Sequence, residues 1–335
     1  MTRCSTKIKQ SAPEIRYQDL LLSSGAFSAV SPAETITWLH QCAQKKLSSA
    51  VDSYIYSPIY YFFTGRRGLF VYDYRGTKTF MCWHPNVFNT LLIFPPLSLN
   101  PQADDIEALT ELVKKLPKKE NIEVHLCRIN TEFQKKLKKH ENIFVPYKET
   151  VLDWIYPVYL LDTTLVKGLK GKHFQQVRQR LNQLDVTPFH LETLDIKKHY
   201  NEIIDLTKDW GEHHTDTNYS IEDLIYPTKT LLNLFLLKNS NLTGQLIYHH
   251  NKLKSFAIWD RMGNLANEFA IAADKEIEGL SEYQMYNMCV QLENDGIKKV
   301  NIGGSETSGL DRFKKKFSPV CGDCLNTFLV HLPSK

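Results

Sequence analysis

The chain lacks most of the features that assign a protein at a glance. Its 335 residues hold no apolar run long enough to cross a bilayer. The densest such run, Ile59-Tyr-Tyr-Phe-Phe63, falls far short of the about 20 residues that a helical span needs. No apolar stretch follows the N-terminal charges, so no signal peptide is expected. The seven cysteines are odd in number and scattered, which argues against a disulfide framework and for reduced thiols in the cytoplasm. Cys321-Gly-Asp-Cys324 lacks the second pair that a zinc site needs, so no metal is expected. There is no Gly-x-Ser-x-Gly and no phosphate-loop motif, which removes support for a serine hydrolase or an NTPase. Trp210-Gly-Glu-His-His-Thr-Asp216 masses acids and histidines without the His-Glu-x-x-His spacing of a zinc hydrolase. A net charge of +4 supplies no global field, so any contact with nucleic acid has to come from a local patch.

What is present is ordinary for a globular protein: 42% hydrophobic and 23% charged residues, with a length that suggests about two domains of roughly 150 residues. Residues 1–15 are polar and unpatterned and read as a loose tail. Ser31-Pro32-Ala33-Glu34 reads as a helix start, with serine as cap, proline in the first turn and glutamate closing the box. Strands are expected over 54–63, 68–74, 77–83 and 88–94, with Arg75-Gly76 as a hairpin turn. A helix over 104–116, a strand over 122–127, a helix over 131–139 and a strand over 143–145 complete a first half.

From Val151 the text begins again. Residues 153–160 read as extended, and Phe174, Val177, Leu181 and Leu184 form one helical face. Helices follow over 196–210 and after Ser220. Three strands in hairpin order are expected over 243–248, 253–260 and 265–272. Ser281-Glu-Tyr-Gln284 reads as a capping box opening a helix to Asn294. A strand at Val300, a basic helix and a last strand over 325–331 close this half. Both halves share one order: three antiparallel strands, helix, strand, helix, strand. The expected architecture is mixed α/β, with two tandem domains (16–150 and 151–335), each a mostly antiparallel sheet covered by helices.

That order is the order of the GNAT (N-acetyltransferase-like) fold. Ile302-Gly303-Gly304, then Gly309-Leu310, then Phe313-Lys314-Lys315-Lys316-Phe317, resembles the closing motif of the Fem-type peptidoglycan aminoacyltransferases. Those are twin GNAT-fold enzymes that take amino acids from aminoacyl-tRNA. Tyr159-Leu160 and Leu169-Lys-Gly-Lys172, with Arg178 and Leu181-Asn182, resemble the C-terminal catalytic domain of phosphatidylglycerol lysyltransferases. The resemblance runs from about Trp154 to Phe317, and the first half matches in layout only, as a degenerate copy. The membrane-spanning half of the full-length lysyltransferases has no counterpart in this text, which turns the expected acceptor from a lipid toward a soluble amine or peptide.

The resemblance implies roles that the residue types can perform. Lys314 would stabilise an oxyanion, and the carbonyl of Phe313 would hold the attacking amine. Gly303 and Gly304 would let the backbone approach a substrate. Alternation along 265–272 sets Ala266, Glu268, Ala270 and Ala272 on one face, and Glu268 is the candidate base. Asp260 at the neighbouring strand end and Trp210 are further substrate-binding candidates. Each has a plainer reading as well: an exposed helix lysine for Lys314, a structural salt bridge for Glu268. For the donor, the position of a coenzyme A diphosphate loop holds Ala273-Asp-Lys-Glu-Ile-Glu-Gly-Leu-Ser281, whose carboxylates repel a diphosphate. Lys170, Lys172, Arg178, Arg180, Lys315 and Lys316 are the candidate tRNA contacts, beside Lys167, Lys298 and Lys299. The expectation is a cytoplasmic aminoacyltransferase that uses aminoacyl-tRNA as co-substrate and no other cofactor, acting on the amine or hydroxyl of a small acceptor. An acyl-CoA- or carrier-dependent N-acyltransferase and a non-catalytic RNA-binding module stay open as alternatives. So do the amino acid, the acceptor and the oligomeric state.

Overall fold

The computed structural model describes residues 12–46, 53–100, 102–119, 121–147, 155–212, 221–237, 240–305, 307–322 and 325–333. Along the chain come α1 (Ala12–Ser23), β1 (Phe27–Ala29), α2 (Pro32–Lys46) and α3 (Pro58–Thr64). Next are β2 (Leu69–Tyr74), β3 (Thr77–Trp83), β4 (Thr90–Ile93), β5 (Leu97–Ser98) and α4 (Asp105–Lys115). Then follow β6 (Glu123–Ile129), α5 (Thr131–Leu137) and β7 (Phe144–Tyr147). The second run holds β8 (Tyr159–Asp162), α6 (Thr163–Gly168), α7 (Gln175–Gln183), β9 (Phe189–Thr193), α8 (Ile196–Glu212) and α9 (Ile221–Leu234). It continues with β10 (Leu242–His249), β11 (Lys252–Met262), β12 (Leu265–Ala273) and α10 (Leu280–Asn294). It ends with β13 (Lys299–Asn301), α11 (Ser308–Lys315), β14 (Val320–Cys321) and β15 (Asn326–Val330).

The chain divides into two units: Met1–Tyr56, Tyr60–Asp153 and Cys324–Lys335 form the first, Ser57–Ile59 and Trp154–Asp323 the second. In the first, the sheet runs β1-β2-β3-β4-β6-β15-β7, with β5 beside β3. In the second it runs β14-β8-β13-β12-β11-β10-β9. Each has one parallel pair, β4 with β6 and β12 with β13, and is otherwise antiparallel. The parallel partners are joined through α4 and α10, as a crossover requires. The expected element order therefore forms in both halves.

Local chemistry explains several of these elements. α2 starts at Pro32, where a missing N–H costs nothing, and buries Ile36, Leu39, Cys42 and Ala43. Asp104 caps α4, its carboxylate accepting from the N–H groups of Ile106 (2.9 Å) and Glu107 (3.0 Å), and Leu109, Leu112 and Val113 enter the core. Asp104→Ala is expected to cost about 1 kcal/mol, seen as a lower urea midpoint at unchanged slope. Arg75-Gly76 and His250-Asn251 take positive φ at both positions, the backbone of tight hairpin turns that match strand twist.

Four expectations fail, each for a physical reason. Residues 54–63 are not a strand: Tyr54–Tyr56 is a 3-10 turn and Pro58 opens α3. Its aromatic residues, strand formers by propensity, pack from a helix, with Tyr61 only 4.4 Å from Phe80 between ring centroids. The end of the supposed loose tail over 1–15 is the first turn of α1, while residues 1–11 lie outside the described ones. Tyr17 and Leu21 enter the core from α1, and its buried Glu14 pairs with buried Arg67 at 2.6 Å and accepts from the Asn89 N–H at 2.8 Å. The last strand forms, but β15 joins the first sheet, between β6 and β7. The corresponding place in the second sheet, between β13 and β14, is taken by β8. Finally, Ser281 caps nothing. Gly279, at φ +89, is the cap position of α10, and Gln284 is a buried residue donating to Gln245 at 3.1 Å.

Candidate active site

The second sheet opens between its two parallel strands. β12 and β13 pair at Leu265↔Lys299, Ala266↔Val300 and Asn267↔Asn301. There β13 ends, while β12 continues to Ala273, so from Glu268 onward β12 has lost this neighbour. A bulge coincides with the fork: Ile258 faces Ala270 but the next residue, Trp259, faces Glu268, leaving Phe269 as the extra residue. The bulge corrects the alternation read from sequence. Cross-strand partners share a face, so Glu268 lies on the face of Trp259 and Ala266, and Ala270 on the opposite one. Trp259 and Ala266 belong to the core against which Phe313 of α11 packs. Glu268, half-buried, is thus turned to the side of the sheet that α10 covers and on which Phe313 of α11 packs.

Buried polar groups gather at the last paired rung. Asp260, 1% exposed, accepts from the Ser57 hydroxyl and from Asn267 through its N–H (3.2 Å) and side-chain amide (2.9 Å). Burial pushes its carboxyl up to about 6, against the pull of these donors. Asn301, opposite Asn267, accepts from the Gly303 N–H at 2.9 Å. Asp260 therefore supports the fork from within and is not at a strand-end surface.

The loop beyond β13 is held by Lys314. This side chain is 6% exposed, which removes the reading of an exposed helix lysine. Its ammonium donates to the carbonyls of Ile302 and Gly304. Gly303 takes φ +67, a left-handed turn that favours glycine, and Gly303 and Gly304 are both buried. The Gly303 carbonyl accepts from the Tyr159 N–H at 3.1 Å. α11 itself is capped by Thr307, which accepts from the Leu310 N–H at 3.2 Å. The Phe313 carbonyl accepts from the Lys316 N–H at 3.1 Å, which occupies one of its two lone pairs. Buried Asp311 takes the Tyr159 hydroxyl at 2.7 Å and the Lys315 ammonium at 2.8 Å. Lys315 foremost, then Tyr159, holds the Asp311 carboxyl below its ordinary range. Asp311, Asn267 and Asn301 are members of this constellation to which the sequence reading gave no role, and Tyr159 entered that reading only as part of a resembling motif.

The candidate tRNA contacts are mostly ion-paired or bonded to backbone. Arg178 donates to the carbonyls of Leu169 and Gly171, Arg180 pairs with Glu278, and Lys316 pairs with Glu282 at 2.7 Å. Lys167 meets Glu293 at 2.6 Å, and Lys298 approaches the same carboxylate at 3.8 Å. Lys170 and Lys172 are exposed. Trp210 stands apart from the fork. It lines a pocket of about 190 Å³ at the far end of β12 with Asp209, Lys254, Asp274 and Lys275. In the loop beyond β12, the Glu276 N–H is taken by Asp274 at 2.9 Å and the Ile277 N–H by the Asp274 carbonyl at 3.3 Å. Two of the backbone donors that could cradle a diphosphate are here bonded within the loop. Of the Glu212–Asp216 cluster, residues 213–216 lie outside the described ones, as does Cys324. No helix among the described residues is long and apolar enough to cross a membrane.

Comparison with known proteins gives a consistent result. The family model of the phosphatidylglycerol lysyltransferase C-terminal domain matches residues 60–332. A conserved protein of unknown function from Bacteroides thetaiotaomicron superposes with a TM-score of 0.70 at 17% identity, covering 91% of this chain and 99% of that one. FemX superposes at 0.58 and 12% identity, covering 91% and 97% of the two chains. A tandem GNAT protein from the clavulanic acid biosynthesis pathway superposes at 0.55 and 9% identity, covering 92% and 99%. At such identities the likeness is one of fold, and the fold is the tandem GNAT fold. No curated protein matches the chain in sequence.

Proposed function

The chain belongs to the family of the phosphatidylglycerol lysyltransferase C-terminal domain, and we propose that it moves an amino acid from aminoacyl-tRNA to the amine or hydroxyl of a small acceptor. Family and fold together support a transferase of aminoacyl or acyl groups. The observation that carries the finer reading is the buried ammonium of Lys314 beside the fork of β12 and β13. An aminoacyl ester is already activated, so alignment, charge stabilisation and a proton acceptor are what a site must add. Lys314 supplies fixed positive charge where negative charge develops on the ester oxygen. Glu268 takes the proton of the attacking group, the Phe313 carbonyl orients that group, and the proton ends on the ribose hydroxyl released as the ester C–O bond breaks. Asp311 and Tyr159 brace α11, and Asp260 with Asn267 braces the fork.

The loop after β12 supports the choice of donor. Its acidic residues and self-bonded N–H groups suit a diphosphate poorly, which supports an RNA-borne ester over an acyl-CoA. Transfer is expected to vanish on ribonuclease treatment of the donor and to survive removal of all acyl thioesters. Transfer that survives ribonuclease would overturn this assignment.

A further inference from the structure

The chemistry above leaves the polar face of α7 without a role. Gln176, Gln179, Arg180 and Gln183 line, with Lys316, a pocket of about 390 Å³, within the about 300–1,000 Å³ of small-ligand sites. The glutamines recur at helical spacing on one side of α7, while Val177 on the other side enters the core. All three glutamines are exposed, and none has a hydrogen-bond partner among the described residues. We infer that this pocket binds an adenine nucleoside.

Charge balance narrows the ligand class. The two cations of the pocket are each matched by a carboxylate, Arg180 by Glu278 and Lys316 by Glu282. A diphosphate would have to displace both carboxylates, whereas an uncharged hydrogen-bonding ring displaces neither. Side-chain amides carry donor and acceptor together, the pattern that pairs with the N6 and N7 edge of adenine. The planar guanidinium of Arg180 offers a stacking surface for a base.

Adenosine occurs both at the 3′ end of tRNA and in coenzyme A, and position favours the first. Lys316 lies two residues beyond Lys314, its ammonium 5.6 Å from the centre of the Phe313 ring. In aminoacyl-tRNA the ester sits on the ribose of the terminal adenosine, so base and reacting carbonyl are close together. In an acyl-CoA a diphosphate and a long pantetheine arm separate them. This inference rests on the reading of a nucleotide-borne donor.

Calorimetric titration of the full chain with the trinucleotides CCA and CCU, and with coenzyme A, tests it. Wild type is expected to bind CCA about tenfold or more tightly than CCU, and Gln176→Ala/Gln179→Ala to lose that preference. Coenzyme A binding that weakens in the double variant while CCA binding does not would keep the adenosine pocket and overturn the RNA donor alone. Equal affinity for CCA and CCU in wild type, with unchanged coenzyme A binding in the variant, overturns the pocket. Ribonuclease-sensitive transfer would then still stand as separate support for the function.

Discussion

Lys314→Met is expected to lower turnover by about 10²–10³-fold, the usual loss when one fixed donor is removed from a developing oxyanion. Methionine keeps most of the length of lysine and deletes only the charge and its hydrogen bonds. Those bonds also hold the carbonyls of Ile302 and Gly304. The variant should therefore lose about 1–3 kcal/mol of stability, a cost that an exposed lysine would not carry. Turnover and urea unfolding measured on the same preparation separate the two effects. A folded variant with near-normal turnover removes Lys314 from the chemistry, and unchanged stability contradicts its structural bonds.

The second large effect concerns Asp260. Burial raises its folded-state pKa to about 6, above the unfolded value of about 3.9. Between those values the folded chain keeps a proton that the unfolded chain has released. The contribution is fully present below the unfolded value and is lost as pH rises through the folded one. About two units of difference correspond to about 3 kcal/mol, so wild type should lose about that much from this group between about pH 4 and pH 7. Asp260→Asn has no such proton, and its hydrogen-bonding groups can still meet Ser57 and Asn267. Urea unfolding of both proteins across this range should give stability curves that diverge toward neutral pH, the variant becoming relatively more stable. Parallel curves would show that Asp260 titrates alike in both states.

Much of the fold was legible because local signals agreed with it. The Ser31-Pro32 start and the Arg75-Gly76 turn each act over a few residues, and both form. The failures lie where distant partners decide. Glu14 reads as one more polar residue of a tail until Arg67 and Asn89 are in place around it. β15 is an ordinary strand by composition, and nothing in its residues says which sheet will accept it. The bulge at Phe269 is likewise silent in the text, although it decides which way Glu268 faces.

For the site, one signal was present and unused. Leu310, Lys314 and Phe317 follow at helical spacing, so Lys314 shares the face of two apolar residues, whereas Lys315 stands four residues after Asp311 on another. Three consecutive lysines are thus distinguishable by position on the helix, and the structure buries Lys314 while leaving Lys315 on the surface. Asn267 gave a similar hint as a lone amide among Leu265, Phe269 and Ile271. The spread of the basic patch had no such signal. Which lysine or arginine meets which carboxylate depends on tertiary neighbours such as Glu278 and Glu282.

The central claim is transfer of an amino acid from RNA to a small acceptor. Incubation of the protein with a pool of charged tRNA and cell metabolites, followed by mass spectrometry, tests it most directly. The account predicts a metabolite heavier by one aminoacyl residue, formed only when the RNA is charged. Adducts that form only with acetyl-CoA would contradict it.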